Sequence, residues 1–183
     1  MRKGCAGFGY DPKETSNHFY IVKPKDRTEP VEVYERFAWA DAPETAQPLA
    51  EKRGVKLEIE AERAYCRIEM DLMKTMVLNL LDNAFKSGTD IVRITGKVSE
   101  QAEERYVIRV EDHGRGIPEE QLSRITEAFY MVDKARSRKE HGAGLGLALC
   151  QKIAELHGTS LQYESKEGKG TTVSFALAKE ADE

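Results

Sequence analysis

Asn79, Asn83 and Lys86 stand at i, i+4 and i+7 in LNLLDNAFKS, a spacing that puts two amides and one ammonium on a single helical stripe. Asparagine is a mediocre helix former, so two of them aligned within a helix invite a reason. One reading is a polar helix flank with nothing bound. The other is chemical: an amide oxygen can ligate a hard divalent cation that bridges phosphates, while a lysine neutralises phosphate charge. Further on, VEDHGRGIP puts Asp112 at the end of a strand, with Gly114 and Gly116 behind it. A carboxylate held there can accept a hydrogen bond from the exocyclic amine of adenine, whereas guanine would offer it a second acceptor and be rejected. A turn that needs glycine for its backbone geometry explains the same residues.

The third cluster is EHGAGLGLALCQKIAELHG, in which Gly142, Gly144 and Gly146 run into an amphipathic helix. Glycines opening a helix offer backbone N–H groups and a positive dipole end to phosphate. The dinucleotide fingerprint does not fit, because it needs a strand directly before the glycines and a glycine where Leu147 stands. The preceding DKARSRKEH is charged and has no strand pattern. The lysine-bearing P-loop fails as well, since Leu147 and Ala148 occupy the positions of its Lys and Ser or Thr.

These residues need elements to hold them. Residues 69–87 carry Met73, Met76, Val77, Leu80, Leu81 and Ala84 at helical spacing, with Gly88 closing the run. ETAQPLAEKRG reads as a helix capped by Gly54, and VKLEIE and YCRI read as short strands. IVRITGKV and RYVIRVED alternate as strands do, and the polar SEQAEE between them predicts an antiparallel pair. PEEQLSRI predicts a short helix with Pro118 in its first turn. A helix ending at Gly158 follows, and SLQYES, EGKG and TTVSFALA close as a hairpin. The sum is an α+β chain, a two-layer α/β sandwich with a mixed sheet covered by helices on one face. Residues 1–30 mix Gly, Pro and charge without a period and read as irregular or as a small hairpin, so the regular domain is placed at 31–183.

At 183 residues the chain accommodates one ordinary core. A net charge of −4 with interspersed signs gives no reason to expect nucleic acid as a partner. Cys5, Cys66 and Cys150 are odd in number and widely spaced, which points to neither a disulfide framework nor a zinc site and fits a reducing, cytoplasmic setting. No apolar run approaches the ~20 residues of a membrane span. A longer parent protein could still be anchored in the membrane.

In order, LNLLDNAFKS, DHGRG, AFY, GAGLGL and GKGTT closely resemble the ATP-binding domain of sensor histidine kinases, within the gyrase, heat-shock chaperone, histidine kinase and MutL (GHKL) superfamily. The resemblance covers residues 31–178. It implies the Bergerat ATP-binding fold with a mobile lid, and Mg-ATP as the bound compound. Asn83 would hold Mg2+, with Asn79 and Lys86 as its catalytic neighbours and Lys86 reaching the phosphates. Asp112 would read the adenine amine, with Gly114 and Gly116 beside the base. Phe129 matches the family's lid phenylalanine. Residues 130–141, from Tyr130, would form the lid, with Lys134, Arg136 and Arg138 as phosphate contacts. Gly142, Gly144 and Gly146, with Leu145 and Leu147 between and after them, would hold the phosphates, and Thr171 or Thr172 would line the adenine side.

Superfamily members that hydrolyse ATP place a glutamate four residues before the magnesium asparagine. That position is Asn79, an amide unable to act as a general base, so fast hydrolysis is not expected. A poor water-activating site suits an enzyme that passes phosphate to a protein side chain. The family's phosphoacceptor histidine, carried on a dimerising helical hairpin, has no counterpart at His18, His113, His141 or His157. The expected partners are therefore the phosphoacceptor domain of a parent kinase and a downstream response regulator, with the module itself monomeric. A nucleotide-gated binding module and a serine kinase of the anti-sigma type are the alternatives that the same motifs leave open.

Overall fold

The computed structural model describes residues 18–21, 33–38, 46–132 and 144–180. Two sheets organise it. The larger runs in the order β3(Lys56–Ala61), β5(Ile91–Val98), β6(Arg105–Asp112), β8(Gly170–Ala178), β7(Gln162–Lys166). β3 and β5 are parallel and every other neighbour is antiparallel, so the sheet is mixed as expected. The smaller sheet, β1(His18–Ile21), β2(Val33–Ala38) and β4(Tyr65–Ile68), is antiparallel, and a single bridge from Cys66 to Lys179 continues it toward the end of β8. β1 lies within the stretch read as irregular or as a small hairpin, and its partner is β2.

Strand alternation places the core. Along β6, Tyr106, Ile108, Val110 and Asp112 are buried on one face, while Arg105, Val107, Arg109 and Glu111 keep more contact with solvent. The buried face packs against helices α1(Gln47–Arg53), α2(Met70–Phe85) and α4(Gly146–Leu156), with α3(Glu119–Leu122) a single turn beside the site. α2 supplies Met73, Met76, Leu80 and Leu81 to that core, all nearly inaccessible to solvent. Its start is fixed twice. The Glu69 carboxylate accepts the Leu72 N–H at 2.6 Å, and the Glu69 N–H itself donates to His157 Nε2 at 3.0 Å. Because His157 Nδ1 faces the Ile153 carbonyl at 2.8 Å, the ring is a neutral tautomer that links the start of α2 to the end of α4.

Tyr106 lies across β5, and its hydroxyl donates to the Glu62 carbonyl at 2.7 Å. That path is open only because residue 96 is glycine: an added Cβ would fall within the phenol, 2.8 Å from Cζ. Gly96→Ala is therefore expected to destabilise the domain by about 1–3 kcal/mol through overpacking. Urea unfolding would show a lower midpoint at unchanged slope.

Candidate functional site

The carboxyl end of β6 and the adjoining ends of β8 and β7 form the floor of a cavity of about 460 Å³. Register sets its lining: Asp112 pairs with Thr171 and Thr171 with Ser165, while Val110 pairs with Val173 and Val173 with Tyr163. All of these side chains share the helix-facing side of the sheet. One wall is the stripe of α2 bearing Asn79, Asn83 and Lys86, and another is the start of α4 with Gly144, Gly146 and Leu147. Residues from three distant parts of the sequence thus meet around one space.

At the floor, Asp112 is buried at 7% exposure. Its Oδ1 accepts the Gly114 N–H at 2.8 Å, which leaves the carboxylate with capacity to accept a hydrogen bond from a ligand. Burial pushes the carboxyl above its ordinary range, opposed by the hydrogen bond from Gly114, the Ser87 hydroxyl and the Thr171 backbone. The Ser87 hydroxyl is itself buried and, among the described residues, has no hydrogen-bond partner that meets ordinary geometry. A base read through the ionised carboxylate loses its acceptor once Asp112 is protonated. Adenosine affinity is therefore expected to fall on acidification, with a midpoint above the ordinary aspartate range of ~4. Calorimetric titrations between pH 4 and 8 check this, and the dependence should vanish in Asp112→Asn.

The loop after Asp112 is pinned at both ends. Arg115 donates to the Lys86 carbonyl and, at 3.2 Å, to the Ser87 carbonyl, which satisfies groups that the end of α2 leaves open. The Gly168 N–H donates to the Arg115 carbonyl at 2.6 Å, and the Ile117 N–H to Ser165 Oγ at 2.8 Å. Gly116 sits at φ 67, where an added Cβ would overlap the Lys166 carbonyl. A side chain at 116 would separate the loop after Asp112 from the β7–β8 hairpin.

At the opposite end, Asn79 Nδ2 donates to the Thr75 carbonyl at 2.8 Å, and Oδ1 faces Gly146, whose Cβ position would lie 3.2 Å from it. Asn83 is exposed on the cavity wall. Among the described residues no side chain caps the N-terminus of α4, so there its first N–H groups can serve an anion. Gly144, at φ 68, accepts the Phe129 N–H at 2.9 Å and passes so close to Phe129 and Tyr130 that a Cβ would meet their backbone at 2.9 Å. Phe129 itself holds a left-handed backbone at φ 66 with its ring 71% exposed.

Of the residues singled out by sequence, Asn79, Asn83, Lys86, Asp112, Gly116, Tyr130, Gly144, Gly146, Leu147 and Thr171 border the cavity. Thr172 does not, because strand alternation sends it to the opposite face of β8. Gly114 backs onto Ser87 behind Asp112, and Phe129 and Leu145 point outward. Lys134, Arg136, Arg138 and Gly142 lie outside the described residues, as does most of the expected lid. Sequence reasoning passed over Asp82, Ser87, Arg115 and Tyr163, all of which line the space. Asp82 carried a signal, as an acidic residue between the two polar positions of the α2 stripe. The thiols of Cys66 and Cys150 are buried and raised to about 12 by that burial, so neither is reactive.

Residues 68–181 match the family described as histidine kinase-, DNA gyrase B- and HSP90-like ATPase. The chain is 38% identical over 114 residues to the sensor histidine kinase WalK of Bacillus subtilis, a match covering 62% of this chain and 19% of WalK. The chain thus spans about a fifth of that relative's length. In fold it is similar to the mycobacterial sensor histidine kinase MprB, with a TM-score of 0.68 and 20% identity over 82% of this chain and 100% of that one. It is similar also to the catalytic domain of the histidine kinase ThkA, with a TM-score of 0.65 and 22% identity over 80% and 95% of the two chains. Asp112, the Asn79–Asn83–Lys86 stripe and the glycine-led α4 surround one cavity, and the chain belongs to the histidine kinase-, gyrase B- and HSP90-like ATPase family as an ATP-binding domain of the sensor histidine kinase kind.

Proposed function

We propose that this domain positions Mg-ATP for transfer of the γ-phosphoryl group to a histidine on a separate dimerisation domain of a parent sensor kinase. The reading is carried by the convergence of Asp112, the Asn79–Asn83–Lys86 stripe and the uncapped start of α4 on one cavity. Asp112 selects and orients the base, and the α4 N–H groups take phosphate oxygens. Lys86 offsets their charge.

The donor set at Asn83 fits Mg2+. Among the described residues no group of three or more His, Cys, Asp or Glu side chains is arranged to hold a metal ion. A single exposed amide oxygen therefore suits a cation that keeps several waters and takes phosphate oxygens as its other ligands. When bound, the ion supplies neutralisation of the charge that builds on the transferred group. Asn79 places a fixed amide beside Gly146, where it can hold a hydrogen bond but cannot deprotonate water. The incoming imidazole is neutral and already nucleophilic at Nε2, so the chain's part is to position and to exclude competing water.

Among the described residues no helix is long and apolar enough to cross a membrane. The domain acts in the cytoplasm in this reading, and the phosphate passes on to a response regulator. Incubation with labelled ATP, Mg2+ and a supplied dimerisation hairpin tests the proposal. Label on the hairpin histidine is the expected result. ATP binding without transfer to any supplied acceptor would replace transfer with nucleotide-gated protein binding.

A further inference from the structure

Asp82 precedes Asn83 on α2 and lines the cavity. Its two oxygens are divided between two cations: Oδ1 accepts from Arg53 Nη2 at 2.9 Å, and Oδ2 from Lys86 Nζ at 2.5 Å. Arg53 is the last residue of α1, and Lys86 is the residue that caps the end of α2. The bond from Lys86 folds its side chain back one turn along its own helix. The lysine placed to neutralise phosphate is thus also the partner of a carboxylate, and the two anions compete for one ammonium.

Competition of this kind ordinarily has a second cost. A lysine that moves to phosphate leaves an uncompensated carboxylate close to a highly charged anion, and like charges at short range repel. Arg53 removes that cost, because it holds the other oxygen through a bond that does not depend on where Lys86 lies. The side chains of Arg53, Asp82 and Lys86 are 35%, 30% and 23% exposed, so the exchange takes place where solvent keeps each ion pair weak and reversible. An arginine fork suits the fixed role and a flexible lysine the mobile one.

Resting on the assignment of Lys86 to phosphate, we infer that Asp82 and Arg53 together set the phosphate affinity of the cavity: Asp82 competes with a nucleoside di- or triphosphate for Lys86, and Arg53 is the positioning residue that holds the carboxylate when phosphate takes the lysine. Both act through Lys86.

Calorimetric titration of the full chain with Mg-ADP and with adenosine tests this, adenosine serving as a probe that lacks phosphate. Asp82→Asn should tighten Mg-ADP about three- to fivefold, and Arg53→Gln should weaken it by a similar factor, the range expected for a partly exposed ion pair. Adenosine affinity should stay unchanged in both, which also reports that the variants are folded. In the Asp82→Asn background, Arg53→Gln should have no further effect, and Asp82→Ser should repeat the result with the side chain truncated. Unchanged Mg-ADP affinity in the single variants overturns the inference. So does a double variant that returns to the wild-type value, because additive shifts are the mark of a long-range field and not of an exchange. Lys86→Met separates the levels: if it binds Mg-ADP like wild type, the phosphate role of Lys86 falls and the inference with it. If it weakens Mg-ADP while Asp82→Asn changes nothing, only the exchange falls.

Discussion

Asn83→Ala is expected to lower phosphoryl transfer to a supplied acceptor histidine by at least about 100-fold, while adenosine affinity stays within about twofold of wild type. The separation follows from where the residue sits. Asn83 is exposed on the α2 wall, whereas Asp112, proposed to read the base, lies across the cavity at the end of β6. Truncation removes an amide oxygen from a solvated face and leaves the buried side of α2 intact, so the melting temperature should hardly move. Radiolabel transfer, adenosine titration and a thermal melt on the same preparation read all three quantities. Parallel loss of adenosine binding and transfer would mean that α2 itself had shifted, and the magnesium assignment would fail.

Asp112→Asn should separate stability from function in the opposite sense. Burial raises the carboxyl pKa in the folded domain, so the native state holds this proton more tightly than the unfolded chain does. The contribution of Asp112 to stability is then most favourable below its unfolded pKa and declines as pH rises through the raised folded value. At neutral pH the ionised carboxylate is a cost to the fold. An asparagine keeps an oxygen for the Gly114 N–H and carries no charge, so the melting temperature at pH 7.5 should rise. Adenosine affinity should fall by about tenfold or more, because an acceptor facing an exocyclic amine has been halved or replaced by a donor. A variant that melts lower and still binds adenosine would overturn both halves. The expected pattern is that of a functional residue held against the preference of the fold.

The elements that carry the site were legible because their signals are local. α2 declares itself through Met73, Met76, Val77, Leu80 and Leu81 at helical spacing, and β6 through a strict alternation that already buries Asp112 at its end. β2 was not read as a strand, and β1 falls in the stretch read as irregular or as a small hairpin. β2 is a short run whose place is set by β4, and the pairs Arg36 with Arg67 and Phe37 with Cys66 join parts of the chain that no window of sequence sees together. The same limit explains the site residues that were passed over. Tyr163 reaches the cavity through its register with Val173, and Thr171 is distinguished from Thr172 only once the pairing with Asp112 fixes which face each occupies. Asp82 needed the position of Arg53, contributed by a separate helix, before its role became visible. Motif order identified the chemistry, and non-local register decided which neighbours take part in it.

The hydrogen bond from the Phe129 N–H to the Gly144 carbonyl brings two points of the chain together, and the left-handed backbone at each makes both turn sharply there. In polymer terms the intervening residues form a ring closed at its neck. The free energy of a ring depends only logarithmically on its length, so doubling the segment costs about 0.6 kcal/mol. Among the described residues, those of the buried core all lie outside that neck. A change in the length of the segment between positions 132 and 144 is thus expected to cost the fold little. In those terms the sequence of that stretch can vary at little cost to the stability of the domain that carries it.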